Sequence, residues 1–244
     1  MFSSIFNTRK MLLLGTLVCA VSSVNAAISL DRTRVIYDGA EKSISVNIVN
    51  DNQQLPYLAQ AWLEDAKLAK MPAGPLVVTP PVQRIEPGAK SQVRITATPA
   101  IKDLLQDRET LYYFNLREIP PKSEKANTLQ IALQTQVKLF YRPASIKAKP
   151  NEEWQHKLVL TPEAGGYRIS NPTPYYITII GLGGSKKEAQ EGKFEAVMLA
   201  PKSEQSVKAT VTATPWLTFI NDYGGRPTMP FNCNGNQCTS KGEK

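Results

Sequence analysis

The stretch TLQIALQTQVKLFYRP, residues 128–143, decides how the chain is read. Leu129, Ile131 and Leu133 alternate with Gln130, Ala132 and Gln134, the period of two that marks an extended strand. Lys138 then stands between Val137 and Leu139, and Arg142 closes the run before Pro143. Two readings fit the alternation. A strand half-buried in its own core would read this way, and so would a strand that offers its apolar row to another molecule.

The same periodicity extends outward in both directions. SISVNIVN (43–50), SQVRITATP (91–99) and TLYYFNLREIP (110–120) are short β-favouring runs separated by turn signals such as YDGAE, MPAGP and EPGAK. AIKDLLQDRE (100–109) reads as a turn of helix before a strand. Beyond it, Pro143 and Pro150 with lysines between them form a stiff connector, because each proline fixes φ and removes a donor. The strand pattern then restarts in HKLVLTP, GGYRISNPTPYYITIIGLGG, KFEAVMLAP and WLTFINDYGG. An all-β chain of two β-sandwich domains follows, at residues 27–146 and 147–244.

Residues 1–26 read as a secretory signal peptide, cleaved from the mature chain. Arg9 and Lys10 precede an apolar run too short to span a bilayer, and SSVNA ends in small residues at Ala26. Its removal leaves 218 of the 244 residues and takes the net charge from +8 to +6, since no acid leaves with Arg9 and Lys10. That charge favours carboxylate-bearing partners, but no dense basic run or recognised motif points to nucleic acid. Cys19 leaves too, so Cys233 and Cys238 remain as a pair in an exported protein, which reads as one small disulfide loop.

Catalytic readings find little support. GLGGSKKE (181–188) lacks the spacing of a phosphate loop and reads as a flexible connection between strands. His156 is the single histidine, has no Ser or Cys partner in a motif, and leaves metal sites without ligands. What stands out is charge inside apolar strand surroundings: Glu109, Arg142 and Asp222. An unpaired buried charge is costly, so one arginine and two acids from both halves could form an ion-pair cluster between the domains.

QDRETLYYFNLREIPPKSEKANTLQIALQTQVKLFYRP, with AISLDRTRVIYDGAEKSISVNIVN, GGYRISNPTPYYITIIGLGGS and INDYGGRP, resembles the periplasmic pilus-assembly chaperones over essentially the whole mature chain. The resemblance implies two immunoglobulin-like domains set as a boomerang, no enzymatic activity, no nucleotide and no cofactor. It implies pilin subunits, the adhesin and an outer-membrane usher as partners, with a self-capped dimer as a state open to the free chain. It places the pilin's C-terminal carboxylate on Arg34 and Lys138, and the strand that enters the pilin groove on Leu129, Ile131 and Leu133. It assigns Glu109, Arg142 and Asp222 to an interdomain salt bridge. A structural pilin subunit is the competing expectation, but one incomplete sandwich with a donor extension would be expected of it.

Overall fold

The computed structural model describes residues 26–125, 127–150 and 152–240. The expected signal peptide therefore lies outside the described residues, apart from Ala26. The first half contains β1 (Ile28–Leu30), β2 (Arg34–Asp38), β3 (Ser43–Asn50), β4 (Tyr57–Glu64) and β5 (Lys70–Met71). It continues with β6 (Leu76–Thr79), β7 (Val82–Ile85), β8 (Lys90–Ala97), β9 (Thr110–Ile119) and β10 (Gln134–Arg142). The second half contains β11 (Val159–Glu163), β12 (Gly166–Asn171), β13 (Ile177–Gly183), α1 (Lys186–Glu191) and β14 (Val197–Leu199). It ends with β15 (Ser203–Lys208), β16 (Trp216–Ile220), β17 (Thr228–Pro230), β18 (Asn232–Asn234) and β19 (Gln237–Thr239).

Each half is a sandwich of two sheets, as the alternation predicts. In the first, β1-β3-β8-β6 faces β2-β10-β9-β4, with β5 and β7 sharing the outer side of β4. In the second, β15-β12-β11-β19-β18 faces β14-β13-β16-β17. The inward residues of both sheets make one core per half: Val35, Val46, Ile95, Phe114 and Leu139 in the first, Leu160, Tyr167, Ile179, Phe219 and Phe231 in the second.

One pairing is of another kind. The chain crosses from one sheet to the other between β1 and β2, so β2 lies parallel to β10 while the other pairs are antiparallel. This crossing sets up the site described below.

Two local expectations are corrected. The helical turn expected over 100–109 is a short 3-10 segment, Pro99–Asp103, with Pro at its start. GLGGSKKE is not a plain flexible connection. Ser185 accepts from the Glu188 N–H at 3.2 Å and starts α1, while Glu188 Oε2 takes the Gly184 N–H at 2.8 Å. The Ser-x-x-Glu spacing of a capping box was the available signal. Cys233 and Cys238 face each other across the β18–β19 hairpin and are joined as a disulfide. Gly235, at φ 60°, takes the first position of its two-residue loop.

Candidate binding edge and cationic cleft

β10 has a complete neighbour on one side only. Its ladder with β9 runs from Gln134↔Arg117 to Tyr141↔Thr110, but β2 covers it only from Lys138↔Arg34 to Arg142↔Asp38. Among the described residues, 134–137 therefore present unpaired backbone groups to the lane that β2 leaves empty.

The two faces of β10 divide by parity. Val137, Leu139 and Tyr141 point into the core, whereas Gln134, Gln136, Lys138 and Arg142 point the other way. Leu129, Ile131 and Leu133 are in sequence phase with the core row but lie beyond the sandwich. Leu129 is 85% exposed and Ile131 63%.

The strand expected to run from residue 128 begins instead at Gln134. The cause lies in β9. Glu118 N–H donates to Leu133 O at 3.0 Å, and in that register Pro120 stands where the next donor should be. Pro120 and Pro121 have no N–H, so the ladder stops at Leu133, and Leu129 and Ile131 have no strand partner among the described residues.

Arg34 and Lys138 sit side by side at the head of the empty lane. Among the described residues neither forms an ion pair within 4.0 Å. Burial, and then the charge of Arg34, pull the Lys138 ammonium below its ordinary value. Burial lowers the Arg34 guanidinium too, against the charges of Asp222 and Glu109. Arg34 Nη1 donates to Ile220 O of the second sandwich at 3.3 Å, while its buried Nε has no partner among the described residues. A cavity of about 420 Å³ opens beside it, lined by the Asp31–Arg32 ion pair, Thr33, Arg34, Ile36, Asp222 and Tyr223.

Four residues along the same face, Arg142 ties the two halves together. Its Nε donates to Glu109 Oε1 at 2.8 Å, and Nη1 and Nη2 reach Asp222 at 2.8 and 3.1 Å. Glu109 Oε2 accepts the Tyr176 N–H at 2.7 Å, and its own N–H donates to Pro174 O at 2.9 Å. The guanidinium also lies 4.9 Å from the Trp154 ring and 4.8 Å from that of Tyr175. Burial pushes Glu109 up to about 7, with the Arg142 charge and the Tyr176 N–H pulling the other way. Burial pulls Arg142 down, yet its hydrogen bond to Asp222 and the charges of both acids hold it above its ordinary value. Arg142 is thus matched by two carboxylates, whereas Arg34 and Lys138 have no acid within ion-pair distance among the described residues.

A network that the sequence reading passed over steadies the outer face of β10. Trp62 Nε1 donates to Glu64 at 2.8 Å, Gln136 donates to Glu64 and Asn115 at 2.9 and 3.0 Å, and Gln134 donates to Asn115 at 2.9 Å. Arg117 closes the ring, donating to Gln134 at 2.9 Å while its Cζ lies 5.1 Å from the Trp62 centroid. The polar halves of the alternation, Gln134 and Gln136, were the signal. Their partners become visible only through the strand register.

Comparison with known proteins places this geometry. Residues 27–147 match the family profile of the PapD N-terminal domain, described as a pili and flagellar-assembly chaperone. Residues 153–231 match the profile of the C-terminal domain of the pili assembly chaperone PapD. The chain is 61% identical over 236 residues to the chaperone protein PapD of Escherichia coli, covering 97% of this chain and 99% of that protein. It is 42% identical to the chaperone protein PmfD of Proteus mirabilis, over 96% of this chain and 94% of the relative. Among solved structures, the periplasmic chaperone SfaE is similar at 30% identity and a TM-score of 0.67, over 83% of this chain and 98% of the other. The SafB chaperone, solved with Salmonella enterica SafA pilin, has a TM-score of 0.73 at 24% identity, over 87% and 99% of the two chains. That last likeness is one of fold alone.

Proposed function

The chain belongs to the pilus-assembly chaperone family, and from that premise we propose that β10 and the residues before it are the strand it lends to an incomplete pilin. It is a non-enzymatic periplasmic chaperone that completes the sheet of pilin and adhesin subunits and delivers them to the outer-membrane usher. A pilin lacking a strand exposes an apolar groove and unpaired backbone groups, a ready template for aggregation. Strand addition answers both, and chaperone–pilin pairs are a standing example of that mode. Leu129, Ile131 and Leu133 enter the groove, while the free side of residues 134–137 offers ladder hydrogen bonds.

The observation that carries this reading is where the empty lane ends. It runs into Arg34 and Lys138, a cation pair with no acid in ion-pair contact among the described residues. A subunit strand lying there with its terminal carboxylate on that pair must run parallel to β10, as β2 does. Each charge-assisted hydrogen bond contributes about 1.5–3 kcal/mol and fixes the register. A one-residue slip would turn the wrong face into the groove. Ala27, the first residue after the expected cleavage point, already belongs to the first sandwich, its carbonyl accepting from Asp51 N–H at 2.7 Å.

The test uses a synthetic pilin C-terminal strand peptide as free acid and as amide. Wild type is expected to prefer the acid by about tenfold or more. Arg34→Ala or Lys138→Ala should remove that preference while leaving thermal unfolding unchanged. Equal binding of acid and amide by wild type would rule out the carboxylate anchor.

A further inference from the structure

The second sandwich carries an exposed aromatic residue at the mouth of the cavity beside Arg34. Tyr223 is 77% exposed, second only to Leu129 among the described large apolar residues left in solvent. It sits in the turn between β16 and β17, and that turn is held on three sides. Asn221 Oδ1 accepts the N–H groups of Tyr223 and Gly225 at 3.1 and 2.8 Å, and Asn221 N–H donates to Gly225 O at 3.0 Å. Asp222 is gripped by Arg142 at 2.8 and 3.1 Å. Gly224, at φ 82°, lies so close to the first sandwich that an added Cβ would stand 2.5 Å from Thr33 Oγ1. Thr33 immediately precedes Arg34. The turn is therefore locked against the residues that hold the anchor, and only the Tyr223 ring is left to settle.

A fixed backbone under an exposed tyrosine is what a contact residue requires. The ring offers large amphipathic area, and only two side-chain torsions have to be ordered on binding. Tyr223 shares the cavity of about 420 Å³ with Arg34, the aliphatic side of Ile36, Asp222 and the self-paired Asp31 and Arg32. We propose that Tyr223 is a specificity contact of the second sandwich, taking an aromatic or apolar side chain next to the subunit's terminal carboxylate. The inference rests on the anchor reading above, since it assumes that the carboxylate reaches Arg34.

The experiment uses the full chaperone with two synthetic free-acid strand peptides, one with an aromatic penultimate residue and one with alanine there. Tyr223→Ala should weaken the aromatic peptide by about tenfold and leave the alanine peptide unchanged. Tyr223→Phe should bind both as wild type does, and neither variant should alter thermal unfolding. If Tyr223→Ala holds the aromatic peptide as tightly as wild type while Arg34→Ala loses it, the inference falls and the anchor stands. If Arg34→Ala also holds it, the anchor reading is what fails. Equal losses on both peptides, or a fall in stability, would assign Tyr223 to the fold instead.

Discussion

Arg142 is buried where water cannot hydrate it, and such a charge is tolerable only if its donors find acceptors. Glu109 and Asp222 supply them from opposite sandwiches. Arg142→Ala would strand Glu109, whose side chain is 1% exposed, and urea unfolding should show a loss of about 3 kcal/mol. The low end of the usual range applies because Glu109 can take up a proton. A loss below about 1 kcal/mol would mean the clasp is incidental. The proton itself is testable. Folding raises Glu109 from 4.5 to about 7, so between those values the native protein holds a proton that the unfolded chain has released. Its contribution is full below 4.5 and fades as the pH rises through 7. Glu109→Gln should flatten that slope; an unchanged stability profile between pH 4.5 and 7 would refute the assignment. Three charges set in apolar strands were legible in the sequence. Which acid meets which nitrogen was not, because that depends on how two sandwiches abut. Tyr223 gave no signal at all, since an exposed tyrosine in a Gly-rich turn looks like ordinary surface.

At the level of elements, β10 holds most of the proposed binding site and shows why alternation alone was ambiguous. The odd residues of the run 129–141 are core at one end and solvent-exposed at the other, and no periodicity distinguishes the two. The distinction was written elsewhere, in Pro120 and Pro121 just past the end of β9, and can be read only once the β9–β10 register is known. Ile131→Asp is expected to weaken pilin capture while free-protein unfolding stays the same, because Ile131 is 63% exposed and outside the ladder. A large loss of stability would return Ile131 to its own core. Pro120→Val would restore a donor opposite Ile131, so the new amide should become protected in hydrogen exchange. Rapid exchange there would show that something other than the missing N–H ends the strand.

The whole molecule repeats one plan twice. Tyr37 and Tyr167 are each fully buried, each hydroxyl donating to one backbone carbonyl and accepting from one backbone N–H. Asn50 and Asn171 are likewise fully buried and donate to loop carbonyls. Two all-β sandwiches were legible from strand periodicity and the proline-bounded connector. The parallel β2–β10 pairing was not, because strand propensity carries no direction. The Cys233–Cys238 ring is short and lies on β18 and β19, away from β10. Reduction should cost only about 2 kcal/mol in unfolding while leaving peptide capture intact. Lost capture would reveal a link across the molecule that the contacts do not suggest. The spacing within β10 has one more consequence. Leu133 and Lys138 are five positions apart. At about 3.4 Å per extended residue, that is a ruler of about 17 Å. On the proposed reading a cargo has to match it from carboxylate to hydrophobic groove, so subunits of unlike sequence would fit while one a single residue too long would not.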